Sequence, residues 1–205
     1  QMCIRDSYRN RLRRRKHCRQ RAGWLRKASG NKRRRINETF SSVDGILFDK
    51  SGIILVLYPN GKTSAAVNIG EGIEIVYEHA FEGNAFVQTI NLGPDVKEIR
   101  QYAFAGCTAL VSFSAQNSAL LSTIGAHAFD GCAELAAFTA PQTVVELGTY
   151  AFAGCVKLES VVFAGLTVIP DHAFNGCVLL SSAEFGSVTS VGDHALSLIH
   201  ISEPT

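Results

Sequence analysis

Four cysteines, Cys107, Cys132, Cys155 and Cys177, and four histidines, His79, His127, His172 and His194, are the side chains of this sequence best suited to chemistry. Thiolates and neutral imidazoles ligate zinc, attack electrophiles or carry protons. Their spacing argues against all three uses. The cysteines lie 25, 23 and 22 residues apart, and the histidines share one recurring position with Tyr102 and Tyr150. Zinc requires ligands converging on a point, whereas one sulfur per repeat makes a line. A general base is not needed once per repeat, and exchange of His with Tyr suits an amphipathic ring at a chain corner. A P-loop, a nucleophile elbow, an H-E-x-x-H run and a persuasive carboxylate pair are all absent from the sequence. No catalytic residue, metal ligand or cofactor is expected. Disulfides between neighbouring repeats are the competing fate of the cysteines, since strand spacing falls within the permitted Cα range. Side chains in a parallel ladder point the same way, however, so free buried thiols acting as small hydrophobes are the expectation.

The elements that must position these residues follow from the phrase that carries them. HAFEGN (79–84), YAFAGC (102–107), HAFDGC (127–132), YAFAGC (150–155) and HAFNGC (172–177) recur at steps of 23, 25, 23 and 22 residues, and a sixth copy opens at Asp193-His194-Ala195. A period of this length is the signature of a solenoid, in which each unit buries its apolar side against its neighbours. Apolar residues recur at fixed offsets from each Phe. Eight before stand Ile73, Val96, Leu121, Val144 and Leu166, and five before stand Val76, Ile99, Ile124, Leu147 and Ile169. Six after stand Val87, Leu110, Leu135, Leu158 and Leu180, and nine after stand Ile90, Phe113, Phe138, Val161 and Ala183. Stretches such as Leu110 to Ala115 alternate with period two, so each coil should supply one such strand to a parallel sheet and a second short strand near Val96 to Ile99. The phrase makes the corner between them, with Phe inward and Gly where other residues would be strained.

Ahead of the repeats, Ile46 to Phe48 and Ile53 to Tyr58 flank Asp49-Lys50-Ser51-Gly52. This pattern predicts a β-hairpin, placed to cover the open end of the stack.

Charge divides the chain sharply. Residues 1–35 hold fifteen of the twenty Lys and Arg against a single acid, a net +14, while residues 36–205 hold five against seventeen, a net −12. The Arg-rich arm has too few apolar residues to build a core and is expected to be disordered or a frayed helix. Its guanidinium groups could attract nucleic acid through the phosphates, which is the alternative function of this chain. No apolar run reaches the roughly 18 residues of a membrane span. Asn37-Glu38-Thr39 forms an isolated glycosylation sequon. QMCIRDS (1–7) and SLIHISEPT (197–205) resemble translated sequencing-adapter read-through, with Leu196 standing where the motif demands Phe. Together with the placing of the only methionine at Met2, this leads us to expect an internal fragment of a longer protein.

Function is then sought on a surface. The outward positions of the alternating strands are Thr89 and Asn91, Ser112 and Ser114, Ala137 and Thr139, Ser160 and Val162, and Ser182 and Glu184. Small, mostly uncharged side chains make a flat face that a protein or glycan partner could approach, although Ser and Thr also serve simply as good exposed strand residues.

The repeats resemble the BspA-like leucine-rich repeat family, whose units read Φ-x-x-I-G-x-x-A-F-x-G-C-x-x-L-x-x-Φ-x-Φ-P. Ile124-Gly125, Ala128 to Cys132 and Leu135 match it closely, and VDGILFDKSGIILVLYPNGK (43–62) resembles the hairpin that often precedes such repeats. The resemblance covers residues 43–195 and departs at Asn84, where Cys is expected. It implies a mostly β, right-handed leucine-rich-repeat solenoid with short parallel strands in each coil and an N-terminal hairpin cap. It further implies a cell-surface or secreted protein acting without catalysis in interaction or adhesion. The expected organisation is a basic arm at 1–40, the cap at 41–63, the solenoid at 64–195 and a foreign tail at 196–205.

Overall fold

The computed structural model describes residues 39–197. The basic arm, the sequon's Asn37 and the tail beyond Ser197 lie outside the described residues, and so do the expectations attached to them.

Three short strands begin the described chain: β1 (Phe40–Val43), β2 (Ile46–Asp49) and β3 (Ile54–Leu57). They form an antiparallel meander, in which β2 and β3 are the expected hairpin and β1 is an additional strand. The turn joining β1 to β2 is the two-residue Asp44-Gly45, with φ of 49° and 81°, the left-handed pair that matches strand twist in a tight hairpin. β3 then switches to parallel pairing with β5 (Ile75–Val76), so the cap heads a seven-stranded sheet that continues through β7 (Glu98–Ile99), β9 (Thr123–Ile124) and β11 (Glu146–Leu147). Tyr58 does the work of the first corner Phe. Its ring stacks on Phe81 at 4.8 Å, and its N–H donates to Ala80 O as each later Phe N–H donates to the Ala of the next corner.

The other face carries β4 (Ala66–Ile69), β6 (Thr89–Leu92) and β8 (Ser112–Ser114) in one parallel sheet, and β10 (Ala137–Thr139), β12 (Ser160–Phe163) and β14 (Ser182–Phe185) in another. With β13 (Val168–Ile169) and β15 (Ser190–Val191) the described residues make a β-solenoid of about six coils. A single continuous sheet on each face was the simplest expectation. Both are interrupted instead, for local reasons. Between β8 and β10 the coil is longest, because Phe113 and Leu121 are eight residues apart where Phe138 and Val144 are six apart. The extra residues form a loop in which buried Ser118 donates its hydroxyl to Gly93 O at 2.7 Å. Between β11 and β13 the cause is Pro170. Arg100, Gly125, Gly148 and Gly192 stand at this position in other coils, and each donates its N–H to a carbonyl of the preceding coil at 2.7 to 2.9 Å. Proline has no N–H to give.

The core is a set of ladders. Phe81, Phe104, Phe129, Phe152 and Phe174 are fully buried and stack with centroids 5.0, 5.2, 5.0 and 5.5 Å apart. Phe113, Phe138 and Phe163 form a second stack and meet the first edge-on, as at the 4.8 Å contact of Phe113 with Phe129. Both arrangements are favourable for aromatic quadrupoles. The predicted apolar offsets are buried with two exceptions: Leu147 is half-buried, and Ala183 is exposed, since β14 is the last strand of its sheet among the described residues. Leu196 takes the Phe place in the sixth corner and packs against the core, so the corner geometry continues through Ser197.

Candidate functional site: the outward strand face

Period-two alternation puts Val67, Ile69, Ile90, Leu92 and Phe113 inside and their neighbours outside. Register then aligns the outward residues into two columns. Ala66, Thr89 and Ser112 pair in turn, as do Asn68, Asn91 and Ser114. Across the interruption, Ala137, Ser160 and Ser182 continue the first column, and Thr139, Val162 and Glu184 the second. Every residue expected on this face is exposed or half-buried. Ala66 and Asn68 extend it by one coil that the sequence reading did not include. Their signal was present, because Val67 and Ile69 stand 23 residues before Ile90 and Leu92. Asn68 and Asn91 are linked, the Nδ2 of Asn91 donating to the Oδ1 of Asn68 at 2.8 Å.

The face is indented where the sheet is interrupted. There an open cleft of about 320 Å³ is lined by Ser112, Phe113, Ser114, Ala115, Gln116, Ala137 and Thr139. Gln116 also went unnoticed in the sequence, since it lies beyond the alternating stretch. Glu184 is the one charged residue in the two columns. The cleft offers hydroxyl and amide groups for hydrogen bonding beside methyl groups, and no ionisable side chain lines it.

The residues with chemical potential are elsewhere and are structural parts of each coil. Cys107, Cys132, Cys155 and Cys177 are buried and one to a coil. Their Sγ atoms donate to Phe81, Phe104, Phe129 and Phe152 carbonyls of the preceding coil at 3.1 to 3.2 Å. A hydrogen bond with Cys177, together with burial, pushes the Cys155 thiol well above its ordinary range, and burial with the nearby Cys107 does the same for Cys132. Thiols so raised are poor nucleophiles. At the equivalent place Asn84 is fully buried and accepts the N–H groups of Phe86 and Val87 at 3.0 and 2.9 Å. The His and Tyr rings stack at the corner, His127 for example lying 4.6 Å from Tyr102 and 4.9 Å from Tyr150. Among the described residues no group of three or more His, Cys, Asp or Glu is placed to hold a metal ion. No helix among them is long and apolar enough to cross a membrane.

Stacked coils, ladders of identical corners and a face of short parallel strands define a β-solenoid repeat protein of the leucine-rich type. The family model described as a BspA type leucine rich repeat region matches six copies over residues 58–135 and 116–205, and the chain belongs to that family. Solved bacterial structures are similar in fold. A leucine rich cell surface protein from Faecalibacterium prausnitzii is 29% identical with a TM-score of 0.67, the match covering 72% of this chain and 40% of that one. The pneumococcal vaccine antigen PcpA is 27% identical with a TM-score of 0.63, over 76% of this chain and 36% of that one. A leucine-rich repeat protein from Bacteroides ovatus is 26% identical with a TM-score of 0.56, over 80% and 48%. The chain thus spans about half or less of the length of these relatives. No curated protein matches it.

Proposed function

We propose that this chain is a non-enzymatic interaction or adhesion module, a right-handed leucine-rich-repeat solenoid acting at a cell surface or after secretion, and that its outward strand face binds a protein or glycan partner. The observation that carries this reading is the pair of in-register columns, Thr89, Ser112, Ser160 and Ser182 beside Asn91, Ser114, Thr139, Val162 and Glu184. A rigid sheet of small side chains lets a partner approach the backbone closely and loses little side-chain entropy on binding. The cell-surface description of the Faecalibacterium relative and the antigen description of PcpA support the placement. Ser114 and Thr139 flank the interruption and line its cleft, so bulky charge there should block a partner without entering the core. The test is binding of the protein to host-cell matrix components by surface plasmon resonance, wild type against Ser114→Arg/Thr139→Arg. Loss of binding with an unchanged melting curve supports the face, and full binding by the double variant refutes it.

A further inference from the structure

One column of side chains is not accounted for by the core or by the strand face. His79, Tyr102, His127, Tyr150, His172 and His194 each adopt a left-handed backbone, with φ between 53° and 60°. That region is uncommon for residues other than glycine and costs energy at every rung. The rings repay it by stacking nearly parallel, with centroids 5.0, 4.6, 4.9, 4.5 and 5.2 Å apart.

The rungs are not equivalent towards a proton. His79 Nδ1 lies 3.0 Å from Glu82 Oε2 and His127 Nδ1 lies 2.8 Å from Asp130 Oδ2, each carboxylate standing three residues on. The neighbouring rungs there are tyrosines. Further along, the pattern changes in three ways. The residue three beyond His172 is Asn175, not an acid. Its Nδ1 is buried with no hydrogen-bond partner. Its ring is stacked between Tyr150 and a second imidazole, His194, whose own Nδ1 meets Ser197 Oγ at 3.1 Å. The carboxylates beside these two rungs are Asp171 and Asp193. Both are exposed, and Asp171 Oδ1 is occupied by the Asp193 N–H at 2.8 Å, so their attraction for a ring cation is screened by solvent.

We propose that this column is an acid-sensitive latch that loosens the C-terminal coils of the described solenoid while leaving the N-terminal coils closed. Imidazole is the side chain that gains charge on mild acidification. A proton added at His79 or His127 turns an existing contact into a charge-assisted hydrogen bond. One added at His172 Nδ1 makes a buried donor with no acceptor, and a second at His194 sets two cations face to face. The same proton therefore tightens one half of the column and opposes the other. The open half is the one where Pro170 already interrupts the sheet.

Hydrogen exchange of the whole chain, read by mass spectrometry at about pH 7.5 and about pH 5 and corrected for intrinsic rates, tests this. Protection across 168–191 should fall about tenfold more than across 75–135. His172→Tyr, a residue already accepted at two rungs of the column, should abolish the acid-induced loss across 168–191, and His127→Tyr should leave that loss unchanged. Equal loss in both segments of the wild-type protein, or an undiminished loss across 168–191 in His172→Tyr, overturns the proposal.

Discussion

Phe129→Ala strikes the centre of the solenoid. Its fully buried ring stacks on Phe104 at 5.2 Å and Phe152 at 5.0 Å and receives the edges of Phe113 at 4.8 Å and Phe138 at 5.2 Å. Removing a buried Phe side chain costs about 3–5 kcal/mol in transfer and cavity terms. The upper part of that range applies, because four aromatic neighbours from three successive coils cannot all move into the space without breaking their own stacks. For a protein of this size, a loss of about 4 kcal/mol lowers Tm by roughly 8–16 °C. Because each coil is held only by its neighbours, the loss should also divide the chain into two less cooperative halves. Urea unfolding followed by circular dichroism would then show a lower midpoint and a shallower transition. Phe174→Ala supplies the comparison. Its neighbours Phe152, Phe163 and Phe185 are more distant, at 5.5, 6.1 and 6.0 Å, and it should cost less. A melting curve for Phe129→Ala that matches the wild type, or a larger loss for Phe174→Ala, would falsify the coupled-ladder argument.

Gly148→Ala drives a Cβ into the backbone of Ala126, and the overpacking should cost about 1–3 kcal/mol or more, seen as a reduced urea midpoint. Cys107, Cys132, Cys155 and Cys177 should resist iodoacetamide at mildly alkaline pH while folded and react completely in guanidinium, by mass spectrometry; rapid native labelling of Cys155 would contradict its raised thiol. Slight burial pushes the Asp49 carboxyl up, but hydrogen bonds from the Ser51 hydroxyl and the N–H groups of Ile54 and Ser51 outweigh it and hold the group below its ordinary range. Its contribution is complete above about pH 4, the usual carboxylate value, and is lost as pH falls through the lowered native value. Asp49→Asn should therefore weaken the cap at neutral pH and flatten this part of the acid dependence, measured by parallel melts from neutral to strongly acid pH.

Much of the solenoid could be read directly because repetition makes each side chain's role testable within one sequence. Phe at one fixed place must stack on Phe, and a Cys that recurs singly in four successive coils cannot surround a metal. The face was legible for the same reason, since period two assigns Ser112 and Ser114 outward once Phe113 is known to be inward. β1 was missed although Asp44-Gly45 announces its turn, because Phe40 to Val43 is too short and polar to register as an apolar run.

Other features required the packed molecule. That the sheet breaks between β8 and β10 and opens a cleft depends on where the two additional residues of that coil are accommodated, and a loop can take up length on either face. That Pro170 severs the second sheet follows from its register against the preceding coil's carbonyl. The histidines are the sharpest case: the sequence shows an acid three residues beyond His79 and His127 and Asn175 beyond His172, and only the tertiary structure decided that those acids reach Nδ1 while the Nδ1 of His172 is buried without a partner. Periodicity determines which residues align from coil to coil, whereas hydrogen bonding and charge depend on distances of a few tenths of an ångström that no repeat pattern encodes.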